Sequence, residues 1–160
     1  MMKTYTTLEE ALRDIQFENG EHQRIELFLD IHKEHVQKPL DDMITWMIDA
    51  LDLKSGREQA KNIVYILIDL ASNAYRHGVT DSRDSCSVEA YIGNKGVLMG
   101  TRQNKDFLTA EQLTLLKEGR MVPSTRDESN NRGTERFARE GNGILILEQE
   151  RAIYVAKYYL

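Results

Sequence analysis

Asp69 and Asn73 stand four residues apart in a stretch, residues 55 to 78, whose apolar residues recur at helical spacing. At that spacing a carboxylate and an amide lie one above the other on a single helix. Arg76 and His77 continue the same row, which begins upstream with Asn62 and Ile66. Ala60, Ile63, Val64, Leu67, Ile68, Ala71, Ala74 and Tyr75 make a broad apolar face on that helix. A helix this apolar must be largely buried, so Asp69 and Asn73 need either polar partners or a ligand. Further along, Gly141-Asn142-Gly143 precedes the apolar run Ile144-Leu-Ile-Leu. Two glycines at the head of an apolar helix let backbone amides approach a phosphate, and the helix dipole adds to the attraction. The same Gly-x-Gly is also an ordinary turn signal.

Other reactive residue types point to packing. The single cysteine, Cys86, rules out an intramolecular disulfide and alternates with Val88, Ala90 and Ile92, as a packed strand residue does. His32 and His35 lack a third ligand at metal-site spacing and read as surface residues. A net charge of −5 does not favour non-specific attraction to nucleic acid or anionic membrane. The first ten residues have no apolar signal core and no membrane-length apolar run follows, so a cytoplasmic protein without membrane contact is expected.

These residues need a scaffold, and 160 residues suffice for one domain with a core. Thr7 and Glu10 form a capping box that opens a short helix. Asn19-Gly20 signals a tight turn, and alternation over residues 24–31 predicts a half-buried strand. Pro39 fits the first turn of a helix whose core face carries Leu40, Met43, Ile44, Met47, Ile48 and Leu51. Ser55 with Glu58 is a second capping box, and Gly78 suits a left-handed helix end. A hairpin is expected from strands at 85–92 and 97–103 around Gly93-Asn94-Lys95-Gly96. A helix follows over residues 109–119, and a last strand from Ala152 places Ile153, Val155 and Tyr159 on one face. Between them, residues 120–140 are polar and carry five arginines, which suits a lid closing over an anion or a solvated loop of mixed charge.

With that element order, Asp69-Leu-Ala-Ser-Asn73-Ala-Tyr-Arg76-His77-Gly78 resembles the N-box of the GHKL ATPase superfamily, and Gly141-Asn142-Gly143-Ile-Leu resembles its second glycine box. The likeness spans residues 24 to 160 and is nearest to the small anti-sigma-factor serine kinases. It implies the histidine-kinase-like ATPase fold: an α+β two-layer sandwich, a mixed and mostly antiparallel sheet with helices packed on one face. It also implies one ATP-binding domain over residues 1–160, with 1–23 as an N-terminal extension and 120–140 as the lid. By resemblance, Asn73 holds the Mg²⁺ of Mg·ATP and Asp69 acts as catalytic base, where the family has glutamate. Arg76 and His77 approach the phosphates, while Gly141, Asn142 and Gly143 line the triphosphate. The implied partner is a protein, a sigma factor or an anti-anti-sigma-like regulator, and a homodimer is among the expectations. The family's Asp-x-Gly-x-Gly is absent: that region reads Gln103-Asn104-Lys105-Asp106-Phe107, leaving Gln103, Asn104 or Asp106 to accept from adenine. The terminal strand also lacks the family's Gly-Thr. A second reading stays open, a degenerate fold member that acts by protein contact with lost or altered nucleotide binding.

Overall fold

The computed structural model of the chain describes residues 2–18, 20–28, 33–105, 114, 118 and 140–160, with side chains from residue 37 onward in the helix that begins at Lys33. The lid segment up to residue 139, Asn19, Asp106 and most of the helix expected over 109–119 lie outside the described residues.

The chain opens with a short strand that the sequence reading did not foresee, β1 (Lys3–Tyr5). Thr7 then caps α1 (Leu8–Asp14) by accepting from the Glu10 backbone N–H at 3.1 Å, while the Glu10 carboxylate folds back to the Thr6 N–H at 3.0 Å. Next come β2 (Glu21–Phe28), α2 (Lys33–Ser55) and α3 (Arg57–Gly78). The hairpin of β3 (Ser85–Ile92) and β4 (Gly96–Gln103) forms as expected, and the chain ends with β5 (Gly143–Leu147) and β6 (Ala152–Tyr158).

The six strands make one mixed sheet in the order β1-β5-β6-β4-β3-β2, in which only the β1–β5 pair is parallel. Strand alternation divides its side chains between two cores. Leu27, Cys86, Val88, Met99, Ile144 and Val155 meet the long helices α2 and α3, which supply Met43, Met47, Leu51, Ile63 and Leu67. This is the expected two-layer α+β sandwich, and full burial of each such large side chain is worth about 1.5–3 kcal/mol. On the opposite face Leu98, Leu145, Tyr154 and Ala156 pack with Tyr5 of β1 and with Ala11 and Ile15 of α1. The residues set apart as an N-terminal extension thus contribute a strand and the helix on the second face. Cys86 is 1 % exposed, and burial pushes its thiol up to about 12.

Several local expectations are corrected. Pro39 lies inside α2 and not in its first turn, because the helix already begins at Lys33. Ser55 does not cap α3: only Gly56 separates the two long helices, so Ser55 is still helical and donates to the Leu51 carbonyl at 3.0 Å. Gly56, at φ 87°, takes the N-cap position without any side-chain cap. Among the described residues Gly56 is the one glycine with positive φ, so Gly78 does not close α3 in the left-handed conformation. The largest correction concerns Ile144-Leu-Ile-Leu147, expected as a helix and observed as β5. A short apolar run suits either structure, and here β1 and β6 flank it while both faces are covered.

Candidate functional site

Helix α3 runs alongside β4 in the same direction. Its last residue, Gly78, sits against Gln103 at the end of β4, while near its start Gln59 accepts from the Leu160 backbone N–H beyond β6. The row Asn62, Ile66, Asp69, Asn73 follows one side of the helix. Asn62 is exposed, Ile66 turns into the core, and Asp69 and Asn73 are half-buried. The Asp69 Oδ2 atom is shielded from solvent. Arg76 and His77 are exposed at the end of the row.

The C-terminal end of α3 is held by a dense polar network. Asp84 is 8 % exposed. Its Oδ2 accepts from the Thr80 N–H (3.0 Å), the Thr80 hydroxyl (3.0 Å), the Asp81 N–H (3.1 Å) and the Lys105 ammonium (2.8 Å). The Lys105 ammonium, followed by these donors, holds the Asp84 carboxyl well below the usual carboxylate range. Asn104 accepts from the Ser85 N–H at 3.3 Å and donates to the Arg83 carbonyl at 2.9 Å. Gln103 is buried against Gly78 and donates to the Lys105 carbonyl at 3.1 Å. Gln103 and Asn104, two of the positions considered for adenine, are therefore already engaged in holding the chain.

The N-terminal half of α3 is open. A cleft of about 570 Å³ lies there between Ser55, Glu58, Asn62 and Ile66 of the helices and Glu140 and Lys157 opposite. Lys157 donates to the Glu140 carbonyl at 2.9 Å. The sequence reading missed Lys157, although a signal was present: it alternates in step with Ile153 and Val155, which face the helices. A lysine in an apolar row is out of place unless a polar opening receives it.

Gly141, Asn142 and Gly143 do not head a helix, so the expected helix-terminus phosphate site is absent from them. Asn142 is built into the sheet end. Its backbone N–H donates to the Ala156 carbonyl at 2.8 Å, its carbonyl accepts from the Lys3 N–H at 3.0 Å, and its side chain accepts from the Tyr158 N–H at 2.8 Å. Gly143 is required by packing, since a Cβ there would come within 2.9 Å of Tyr5 Cζ. Gly143 pairs with Ala156, the neighbour of Lys157, and so lies level with the open cleft near Asn62. Asn73 lies about 16 Å further along the helix at roughly 1.5 Å per residue. The structure thus brings Asp69 and Asn73 together, puts Arg76 and His77 at the Gln103 end, and puts Gly141, Asn142 and Gly143 at the cleft end. A ligand touching all of them would have to be extended and lie along α3.

Among the described residues no three His, Cys, Asp or Glu side chains cluster as metal ligands, and no described helix is long and apolar enough to cross a membrane. A magnesium ion here would take the Asn73 amide oxygen and draw its remaining ligands from phosphate and water, the usual pattern for this ion. No protein-family model matches the chain, and no curated protein matches it.

Proposed function

We propose that the chain is a regulatory Mg·ATP-binding protein of the anti-sigma-factor serine kinase type, in the histidine-kinase-like ATPase class, with the nucleotide lying along the polar row of α3. The observation that carries this reading is the half-buried pair Asp69 and Asn73, four residues apart on a helix whose apolar face is committed to the core, in a row that leads from the open cleft at Asn62 and Ile66. When bound, Mg·ATP would supply the γ-phosphoryl group for transfer to a hydroxyl, with ADP as the leaving group. Asn73 holds the ion through a neutral oxygen, which adds no charge to a half-buried place. Asp69 takes the proton from the attacking hydroxyl of a serine on the protein partner. Arg76, exposed one turn beyond Asn73, supplies positive charge toward the phosphates, while Lys157 lies at the other end of the row, in the cleft.

A second reading is favoured by one observation: Gly141, Asn142 and Gly143 are spent on strand pairing and on room for Tyr5. On that reading the fold is kept and the chain works through protein contact alone. Calorimetric titration with Mg·ATP and Mg·ADP separates the two. Binding by the unaltered protein, weakened about tenfold or more in Asn73→Ala with an unchanged melting curve, is expected from the first. No heat from the unaltered protein leaves only the second.

A further inference from the structure

The last strand of the sheet on the α2 side, β2, pairs with β3, and among the described residues no strand pairs with its outer side. A free edge offers a row of backbone donors and acceptors to any extended chain, so edge strands are commonly guarded by charge. Here the charges have both signs and are arranged symmetrically. Opposite Tyr91, Glu89, Ser87 and Ser85 stand His22, Arg24, Glu26 and Phe28, which share one face of the sheet. Ile25 and Leu27 point to the helix side, where they pack with the main core.

A second copy of β2 laid antiparallel with Ile25 against Ile25 puts Arg24 opposite Glu26 of the second copy, and Glu26 opposite its Arg24. In the same register His22 meets Phe28 at each end. Phe28 is 57 % exposed, a large apolar ring left in water at the strand's end. His22 stacks on Tyr91 at 4.1 Å, and Tyr91 meets Phe17 edge-on at 5.2 Å, so Phe28 of the second copy would extend an existing aromatic row. Sliding the copies by two residues either way opposes Arg24 with Arg24 or Glu26 with Glu26, and like charges directly opposite each other destabilise a pair. Sliding by one turns every side chain to the wrong face. One register alone satisfies both the charges and the faces.

We propose that β2 is a self-association surface, through which two copies of this chain join antiparallel about Ile25 into one continuous sheet. This does not depend on nucleotide binding. In the single copy Arg24 and Glu26 meet each other at 3.0 Å, both about half exposed, which costs little to exchange for the cross-strand pairs.

A single strand pair buries less surface than a usual stable interface, so association should be followed by sedimentation over a wide concentration series. The unaltered protein is expected to pass from monomer to dimer. Arg24→Glu alone, or Glu26→Arg alone, puts like charges across the symmetry axis twice and should weaken dimerisation by about tenfold or more. The double variant Arg24→Glu with Glu26→Arg should recover it. Melting curves report whether each variant still folds, as these exposed positions allow. A monomer at every concentration overturns the proposal, as does a dimer indifferent to Arg24→Glu, or a folded double variant that stays as weak as the single ones.

Discussion

At the C-terminal end of α3, Gly78 lies against Gln103, and Asp84 gathers Thr80, Asp81 and Lys105 around one carboxylate oxygen. At the N-terminal half, Asn62 and Glu58 face Lys157 and Glu140 across an open cleft. The first end spends its polar groups on each other; at the second Lys157 donates to the Glu140 carbonyl, while Glu58 and Asn62 are exposed to solvent. A polar residue beside a fold's core therefore does not mark a binding site on its own. What separates the two ends is whether its hydrogen-bonding capacity is already used. Substitutions at the closed end should act on stability, and those at the open end on binding.

The largest effect on stability is expected from Asp84→Ala, which withdraws the acceptor from two backbone N–H groups, a hydroxyl and an ammonium at once. Its pH dependence has a definite sign. The folded-state pKa of Asp84 is depressed, chiefly by Lys105, so its contribution is fully present above the unfolded value of about 4 and is lost as pH falls toward the folded one. Urea unfolding of the two proteins should therefore show a gap that is constant from about pH 7 to pH 5 and closes progressively below about pH 4. A gap equally wide at pH 3 would break the assignment of the closed end to this ion pair.

A pair of glycine substitutions compares the two ends directly. Gly78→Ala brings a Cβ within 2.9 Å of Gln103 Cδ, so Gln103 must leave its place; overpacking of this kind costs about 1–3 kcal/mol. Gly56→Ala meets nothing within 4 Å, so its cost, about 1–3 kcal/mol, comes only from the backbone at φ 87° and ψ 157°, a region open essentially to glycine alone. Thermal melts of double-mutant cycles with Gln103→Ala should show coupling for Gly78→Ala and none for Gly56→Ala. No coupling at Gly78 would mean that Gln103 moves aside freely and that the closed end is not closed.

The same contrast explains what the sequence disclosed. The apolar face of α3 and the β3–β4 hairpin were legible because periodicity and turn residues report them locally. The row of Asp69 and Asn73 was legible because polar residues on a buried helix break that periodicity. The strand identity of Ile144–Leu147 was not, since on one side it depends on β1, at the far end of the sequence, which the local pattern does not report. For the same reason Gly143 reads as a phosphate loop in sequence and as room for Tyr5 in the structure. The engagement of Gln103 and Asn104 was likewise hidden, because their partners lie in the α3–β3 connection, at the start of β3 and just beyond β4.

The smallest effect on stability, and the sharpest test of the open end, is expected from Asn62→Ala. Asn62 is exposed on α3, and alanine is the better helix former, so the change should lie within about 0.5 kcal/mol. If an extended ligand reaches the cleft, the lost amide should still weaken Mg·ATP binding severalfold, by less than Asn73→Ala does. Equal affinity in Asn62→Ala and the unaltered protein, with Asn73→Ala impaired, would confine the ligand to the middle of α3 and leave the cleft to another occupant. Loss of stability without loss of binding would instead place Asn62 with the closed end, among residues whose polar groups serve the fold.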